Sequence, residues 1–272
     1  MEAYNEKINR EFEEWKSREP GTIEKVSGFV GKPVEVVIQP FIEKIGPLLE
    51  DVLKNSNKFI SEAVQNNHEE MKDVTKFTPD EFVEWHKSAD EATDSLVKAG
   101  IATLSAEGAV GGFLGFNALL AEVPVSFGTI LAFANKIAAT YHLDITNEDT
   151  QVEILKAITA GSSSSLDAKN ETTSTFTTSN IIIQKASWGS IAKGDMYTAN
   201  AVVQVVRQIL KALGISISRR KATQFLPGLG AITGGVINGA WANEALNAVR
   251  EYSRYSVSLK YFDFYKELHP ST

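Results

Sequence analysis

Residues 99–121 read AGIATLSAEGAVGGFLGFNALLA, and residues 222–243 read ATQFLPGLGAITGGVINGAWAN. Glycine lowers helix propensity, and it recurs at four-residue spacing in both segments. Close approach of two helix backbones offsets that cost, so we predict that the glycine-rich segments, 99–141 and 222–243, pack together at the centre. The glycines assigned to helix packing are Gly108, Gly112, Gly115, Gly230, Gly234, Gly235 and Gly239.

The same glycines are also compatible with a hairpin that contacts or enters a membrane. The longest uncharged run is 222–243, and it contains a proline, a glutamine and five glycines. These residues weaken its transfer into lipid, which favours a buried or interfacial segment over a true span. A phosphate-binding loop is weakly supported, because GAVGGFLG lacks the Lys-Ser/Thr pair of a P-loop.

Apolar residues recur at helical spacing along most of the chain. The predicted elements are a first helix that ends before Pro20, a helix capped by Thr78 and Glu81, a helix from near Pro124 to His142, a helix capped by Thr146 that ends at Gly161, and a closing helix from Asn243 to Leu268. Clear strand alternation is missing nearly everywhere. We therefore predict an all-α class with a compact multi-helix domain.

Acidic residues are concentrated in the front third of the chain, and we predict two regions. Residues 1–75 are predicted to form acidic helices packed on the core, and residues 76–272 form the main helical domain. Within the second region, residues 161–180 contain 11 Ser or Thr among 20 positions. Such a composition is typical of a loop or lid.

Composition excludes several classes of function. The chain has 272 residues and a net charge of −7, the wrong sign for a nucleic-acid partner. It has no Cys, so disulfides and Cys-ligated zinc are excluded. The charged N-terminus lacks the apolar core of a secretory signal, which predicts a cytoplasmic protein. No motif indicates a cofactor.

Two carboxylates interrupt the apolar 99–141 segment, namely Glu107 and Glu122. A buried carboxylate must be hydrogen-bonded, paired with a base or protonated. They can bind backbone amides, or pair with Lys136 or with the cluster Arg219, Arg220 and Lys221. The sharper hypothesis makes them a general acid/base or metal pair, provided that the fold brings them together.

The four histidines are widely spaced and form no zinc-binding motif, so no metal site is predicted. His142, at the end of a predicted helix, is a weak catalytic candidate. The absence of G-x-S-x-G argues against a serine hydrolase.

Arg219, Arg220 and Lys221 directly precede the uncharged run 222–243. A basic cluster beside an apolar segment suits anionic lipid headgroups. The alternative is that this cluster pairs with the acidic N-terminal region.

Two motifs in the correct order resemble the EcsC protein family over roughly residues 80–265. The first contains Glu107-Gly108 and Pro124, and the second contains Gln224, Pro227, Gly230, Ala231 and Asn238. The resemblance implies a bacterial intracellular protein that works near the membrane, as an accessory to an ABC-type transporter. It implies no particular reaction. The long Ser/Thr segment 161–180 departs from many members of the family.

Three functions remain open from the sequence. The first is a non-catalytic cytoplasmic protein that docks on the inner membrane surface, through anionic lipid, or on a membrane transporter subunit. The second is a hydrolase-like enzyme that uses Glu107 and Glu122. The third is a membrane-inserting, pore-forming effector, which requires refolding in lipid. The sequence leaves the oligomeric state open.

Overall fold

The computed structural model describes residues 1–20, 48–49, 51–52, 73–111, 115–163, 165–170, 172 and 230–269. These residues form helices and turns without any strand. The main helices are α1 (Glu2–Ser17), α2 (Pro79–Gly111), α3 (Gly115–Thr140), α4 (Glu148–Gly161) and α5 (Gly230–Leu268), with a 3-10 turn at Val74–Lys76. The predicted all-α class is confirmed.

The longest helices, α2 and α5, run antiparallel and make the most extensive contact among the described elements. Gly108 of α2 lies against Gly234 at one end of this contact, and His86 of α2 lies against Ser258 at the other. The same register therefore holds over more than 20 residues of each helix, which is about 30 Å.

The α2–α5 contact is closest where glycine replaces a side chain. A methyl group at Gly108 would overlap the carbonyl oxygen of Gly234 and lie 2.7 Å from Asn238 Nδ2. A methyl group at Gly235 would lie 2.8 Å from the carbonyl oxygen of Ser105, and one at Gly239 would overlap the Ser105 hydroxyl. Only glycine fits these positions without a shift of the backbone or the Ser105 side chain.

The remaining three glycines assigned to helix packing are Gly112, Gly115 and Gly230. Gly115 and Gly230 are the first residues of α3 and α5. Gly112 lies outside the described residues, as does most of the segment between α4 and α5. Asn238, which the sequence places in the second family motif, is fully buried on α5.

Local signals set the start of α2. Glu81 accepts hydrogen bonds from the backbone N–H and the hydroxyl of Thr78, at 2.8 and 2.7 Å. The Glu81 N–H in turn faces the Thr78 hydroxyl at 3.4 Å, which completes a capping box. Pro79 takes the first helical position, where its missing N–H costs nothing. The predicted start of this helix is confirmed.

Two predicted helix starts are wrong. α3 begins at Gly115, so Pro124 lies inside the helix rather than near its start. Good helix formers at 118–122 outweigh the backbone hydrogen bond that Pro124 cannot make. The last helix begins at Gly230, ahead of the predicted Asn243, because packing of its glycines against α2 offsets their low propensity.

The ends of α4 differ only slightly from prediction. The N-cap is Asn147 instead of Thr146, and its side chain accepts a 2.8 Å hydrogen bond from the Asp149 N–H. Gly161 is the last helical residue, as predicted. Within the predicted Ser/Thr-rich loop, residues 166–170 are helical. The rest of that segment beyond residue 172 lies outside the described residues.

The core joins α2, α3, α4 and α5. Trp241 of α5 is buried, and its indole N–H donates a 2.8 Å hydrogen bond to Ser162 Oγ at the end of α4. α1 lies on the outside of this bundle, where Phe12 stacks on Tyr255 of α5 at 4.1 Å between ring centroids. The largest fully buried side chains are Trp241, Tyr141, Tyr261, Phe82, Phe127, Lys156, Ile8, Leu49 and Leu104.

Candidate functional site

Among the described residues, those at one end of the bundle are almost free of charge. We define the uncharged end as residues 99–111 of α2, 115–135 of α3 and 230–243 of α5, which contain Glu107 and Glu122 as their only charged side chains. The exposed side chains that the structure describes there are Ala99, Ala102, Thr103, Ala106, Ala109, Ala121, Val125, Val236 and Asn243. The described side chains on the outer surface of the uncharged end are therefore mostly small and apolar.

Val125 and Val236 are the large apolar side chains on this surface. They are 58% and 57% exposed, respectively. Val125 belongs to α3 and Val236 to α5, so two helices contribute to the exposed apolar surface.

Glu122 connects α3 to α5. Asn238 Nδ2 donates a 2.6 Å hydrogen bond to Glu122 Oε1, and it also lies 3.5 Å from Ser126 Oγ. Ser126 follows Glu122 by one helical turn, so the two side chains share a face of α3. Because Gly108 has no side chain, α2 comes close enough to enclose the Asn238 amide.

Glu107 connects α2 to α3. Its Oε1 accepts a 2.9 Å hydrogen bond from the Thr129 hydroxyl. Its Oε2 is buried and has no hydrogen-bond partner within the described part of the chain. Both glutamates are thus hydrogen-bonded by neutral side chains on a neighbouring helix, and together they form a polar junction inside the uncharged end.

The polar junction differs from the predicted alternatives for Glu107. Its partner is a threonine hydroxyl rather than a backbone amide or Lys136. Glu107 and Glu122 bind different partners, Thr129 and Asn238, and no hydrogen bond joins the two carboxylates. No group of three or more His, Cys, Asp or Glu able to hold a metal ion occurs in the described part of the chain.

The backbone of His142, the weak catalytic candidate, caps the C-terminal end of α3. It has a φ of 56°, in the left-handed region that favours glycine. Its N–H donates to the carbonyl of Ala139 and the Leu143 N–H donates to that of Ala138, which is the hydrogen-bond pattern of a Schellman motif. The imidazole lies 5.0 Å from the ring of Trp85.

A second histidine, His86, lies in a buried network. Its Nδ1 is 2.9 Å from the Tyr4 hydroxyl of α1, and its Nε2 is 3.1 Å from Ser258 Oγ. Burial lowers the pKa of His86. The arrangement is similar to a serine–histidine pair, but His86 is 0% and Ser258 1% exposed, so a substrate cannot reach either.

Ion pairs continue this network toward the surface. Arg254 of α5 binds Asp90 of α2 at 3.0 Å and Glu11 of α1 at 2.6 Å. The Tyr141 hydroxyl donates a 2.7 Å hydrogen bond to Asp90. Burial and the charge of Asp90 raise the pKa of Tyr141, so its phenol remains protonated. The sequence signal for this network is the four-residue spacing of His86 and Asp90 and of Arg254 and Ser258, which single-helix patterns cannot assign to a common interface.

A cleft of about 710 Å³ opens beside this network, between α1, α2, α5 and the end of α4. Lys169 lines it and donates hydrogen bonds to the carbonyl oxygens of Trp15 and Arg18 at the end of α1. Its ammonium also lies 4.1 Å from the centroid of a Trp15 ring. Burial lowers the pKa of Lys169 to about 8. Neither Glu107 nor Glu122 lines this cleft.

Several predicted site residues lie outside the described part of the chain. These are Arg219, Arg220, Lys221, Gln224 and Pro227. Their assignment to membrane contact or to the family motif remains a prediction.

Within the described residues, one helical segment is long and apolar enough to cross a membrane. It is Ala121–Thr140, with a mean hydropathy of 1.2, and 61% of the apolar window is buried inside the protein. A buried core helix of a soluble protein meets the same criteria. Its length and composition are therefore weak evidence for a span.

The fold and the junction define a class of protein, an all-α bundle with an uncharged end built on two glycine-containing helices. The chain belongs to the EcsC protein family, whose family model matches residues 1–255. The match therefore includes the N-terminal acidic region, which the two sequence motifs alone do not cover. No curated protein and no solved structure matches the chain significantly.

Proposed function

We propose that this protein is a non-catalytic membrane-associated protein, and that its uncharged end contacts lipid at the inner surface of the cell membrane. The observation that carries the proposal is the surface composition of that end. Its described exposed side chains are alanine, threonine, valine and one asparagine. A surface with so few charges can leave water for the membrane interface at little cost for stripping water from ions.

Apolar contact alone gives modest affinity. Complete burial of a valine side chain contributes about 1.5–3 kcal/mol, and alanine contributes less. Val125 and Val236, already partly covered, would supply only a fraction of this amount. Stable association with lipid therefore needs a second source of attraction.

A basic cluster in the sequence offers that second source. Arg219, Arg220 and Lys221 lie nine or more residues before the start of α5, and no charged residue intervenes. Each basic side chain near an anionic surface contributes about 1 kcal/mol. The proposal therefore requires binding that depends on both anionic lipid and low salt.

The hydrolase alternative has less support. Such an enzyme needs Glu107 and Glu122 beside a space that admits a substrate. The two side chains are instead hydrogen-bonded between helices, and the cleft near Lys169 is lined by other residues.

Flotation with liposomes tests the proposal. The purified full chain is mixed with vesicles of graded anionic lipid content, at low and high salt, with a dye trapped inside. We expect flotation that rises with anionic lipid and falls with salt. The variants V125D/V236D and R219E/R220E/K221E should both float less than the wild type.

A matched control is Leu259→Asp, which places a charge on an exposed apolar position of α5 far from the uncharged end. It should float like the wild type. Absence of flotation at every lipid composition would overturn direct lipid binding and favour a transporter subunit as the partner. Dye release by the wild type would favour the pore-forming alternative.

A further inference from the structure

We infer that Glu107 and Glu122 set how deeply the uncharged end engages a membrane, and that their two charges hold it at the surface. This inference rests on the proposed function. It assigns these carboxylates to neither catalysis nor metal binding. It makes them the residues that separate surface contact from insertion.

The first argument is their position in the sequence and the fold. Residues 99–135 and 222–243 contain no Lys or Arg, and these two glutamates are their only ionisable side chains. Without them, α2, α3 and α5 would present an end with no charge over about 20 Å of α2. That length is two thirds of the hydrocarbon thickness of a bilayer.

The second argument is the chemistry of their hydrogen bonds. Thr129 is a neutral donor, so it stabilises the Glu107 carboxylate without cancelling its charge, and the donor that Asn238 offers to Glu122 is also neutral. Glu107 Oε2 is buried and accepts no hydrogen bond from any described residue, which leaves part of that charge poorly solvated already. Transfer of such groups into hydrocarbon is strongly unfavourable as long as they remain ionised.

The third argument concerns α3. The segment Ala121–Thr140 is long enough to cross a bilayer, and Glu122 stands at its N-terminal end. The Asn238–Glu122 hydrogen bond also ties this segment to α5. The same carboxylate therefore adds a charge at the end of the most apolar helix and fixes that helix in the bundle.

Glutamine separates charge from geometry at both positions. It keeps one oxygen that accepts from Thr129 or Asn238, and it removes the negative charge by replacing the other carboxylate oxygen with an NH2 group of similar size. The test compares the wild type, E107Q/E122Q and the control E84Q/D263N, which makes the same change in net charge at two exposed positions. All three are floated with anionic vesicles that contain a trapped dye, and then washed with high salt.

The expected result is that the wild type and the control bind at low salt, leave the vesicles in the wash and release little dye. E107Q/E122Q should resist the wash, with a partition coefficient larger by about tenfold or more, and should release dye. Behaviour like that of the wild type would overturn the inference while the proposed function stands. If none of the three proteins floats, both fail.

A fold check keeps this comparison valid. Circular dichroism and thermal unfolding should give E107Q/E122Q a helix content equal to that of the wild type. If the double variant unfolds, E107Q and E122Q are tested singly, and each should retain more protein on the vesicles after the wash than the wild type does. Equal retention by the wild type and both single variants would overturn the inference.

Discussion

Asn238 on α5 donates a 2.6 Å hydrogen bond to Glu122 on α3, beside the point where Gly108 brings α2 closest. Three helices therefore meet at one buried amide. Since Asn238 is fully buried, loss of the bond to Glu122 costs more than the loss of a similar bond at an exposed position.

Replacing Asn238 by aspartate should destabilise the protein by at least about 2 kcal/mol at pH 7, because a second carboxylate would face Glu122 in a buried site. For a chain of this size the loss corresponds to a fall in Tm of about 4 °C or more. Thermal unfolding followed by circular dichroism measures it. E122Q should restore part of the loss in the double variant, and a double variant no more stable than N238D would contradict this account.

Gly108→Ala tests the close approach of α2 and α5. Alanine favours an isolated helix, but here its methyl group would overlap the backbone of Gly234. We expect a net loss of about 1–3 kcal/mol from the forced shift. Thr103→Ala, on the exposed face of α2, should change stability by less than about 0.5 kcal/mol. Urea unfolding midpoints compare the two variants. Equal midpoints would show that α2 and α5 can move apart at Gly108 without a loss of stability.

The left-handed conformation of His142 predicts an unusual order of stability. His142→Gly and His142→Ala both remove the ring that contacts Trp85. They differ only in backbone freedom at a φ of 56°. The glycine variant should therefore be more stable than the alanine variant by about 1 kcal/mol. The same urea unfolding assay measures this difference. An alanine variant as stable as the glycine variant would contradict the left-handed conformation at the end of α3.

His86 predicts a pH dependence of stability. Burial lowers its pKa in the folded protein below the ordinary value of 6.5, so the unfolded chain binds a proton more readily. The contribution of His86 to the free energy of unfolding is therefore fully present above pH 6.5 and is lost as the pH drops from 6.5 toward the folded pKa. Unfolding at pH 7.5, 6.5 and 5.5 should show this fall for the wild type.

His86→Gln serves as the comparison, since it keeps polar atoms near Tyr4 and Ser258 but cannot bind the proton. It should be less stable than the wild type at pH 7.5 and show a shallower fall toward pH 5.5. A variant with the same pH slope as the wild type would mean that other groups cause the dependence.

The sequence predicts elements whose signals are local. The Thr78–Glu81 capping box and the Gly161 helix end involve residues within one turn of each other, and the structure has both. Pro124 misleads for the opposite reason, since its local signal for a helix start is overruled by nine helical residues before it.

The contacts of the site are harder to predict, because they join distant parts of the chain. Glu107 and Glu122 stand out in sequence as charges within apolar segments. Their partners, Thr129 and Asn238, depend on how α2, α3 and α5 align, and no spacing within one helix encodes that alignment. The Asp90–Arg254 pair, 164 residues apart, is missed for the same reason.

The alignment of α2 and α5 also sets the distance between the two ends of the bundle. Gly108 and Gly234 mark one level of the bundle, and His86 and Ser258 mark another about 30 Å away. If the uncharged end rests on a lipid surface, α2 and α5 hold the opposite end of the bundle at this distance from the lipid. Tyr4 and Glu11 hold the acidic helix α1 at the end of the bundle marked by His86 and Ser258. The distance from there to the uncharged end is several Debye lengths at physiological salt, so the charge of a lipid surface is screened at α1. In that arrangement the acidic helix α1 lies on the side away from the lipid and is not repelled by an anionic surface.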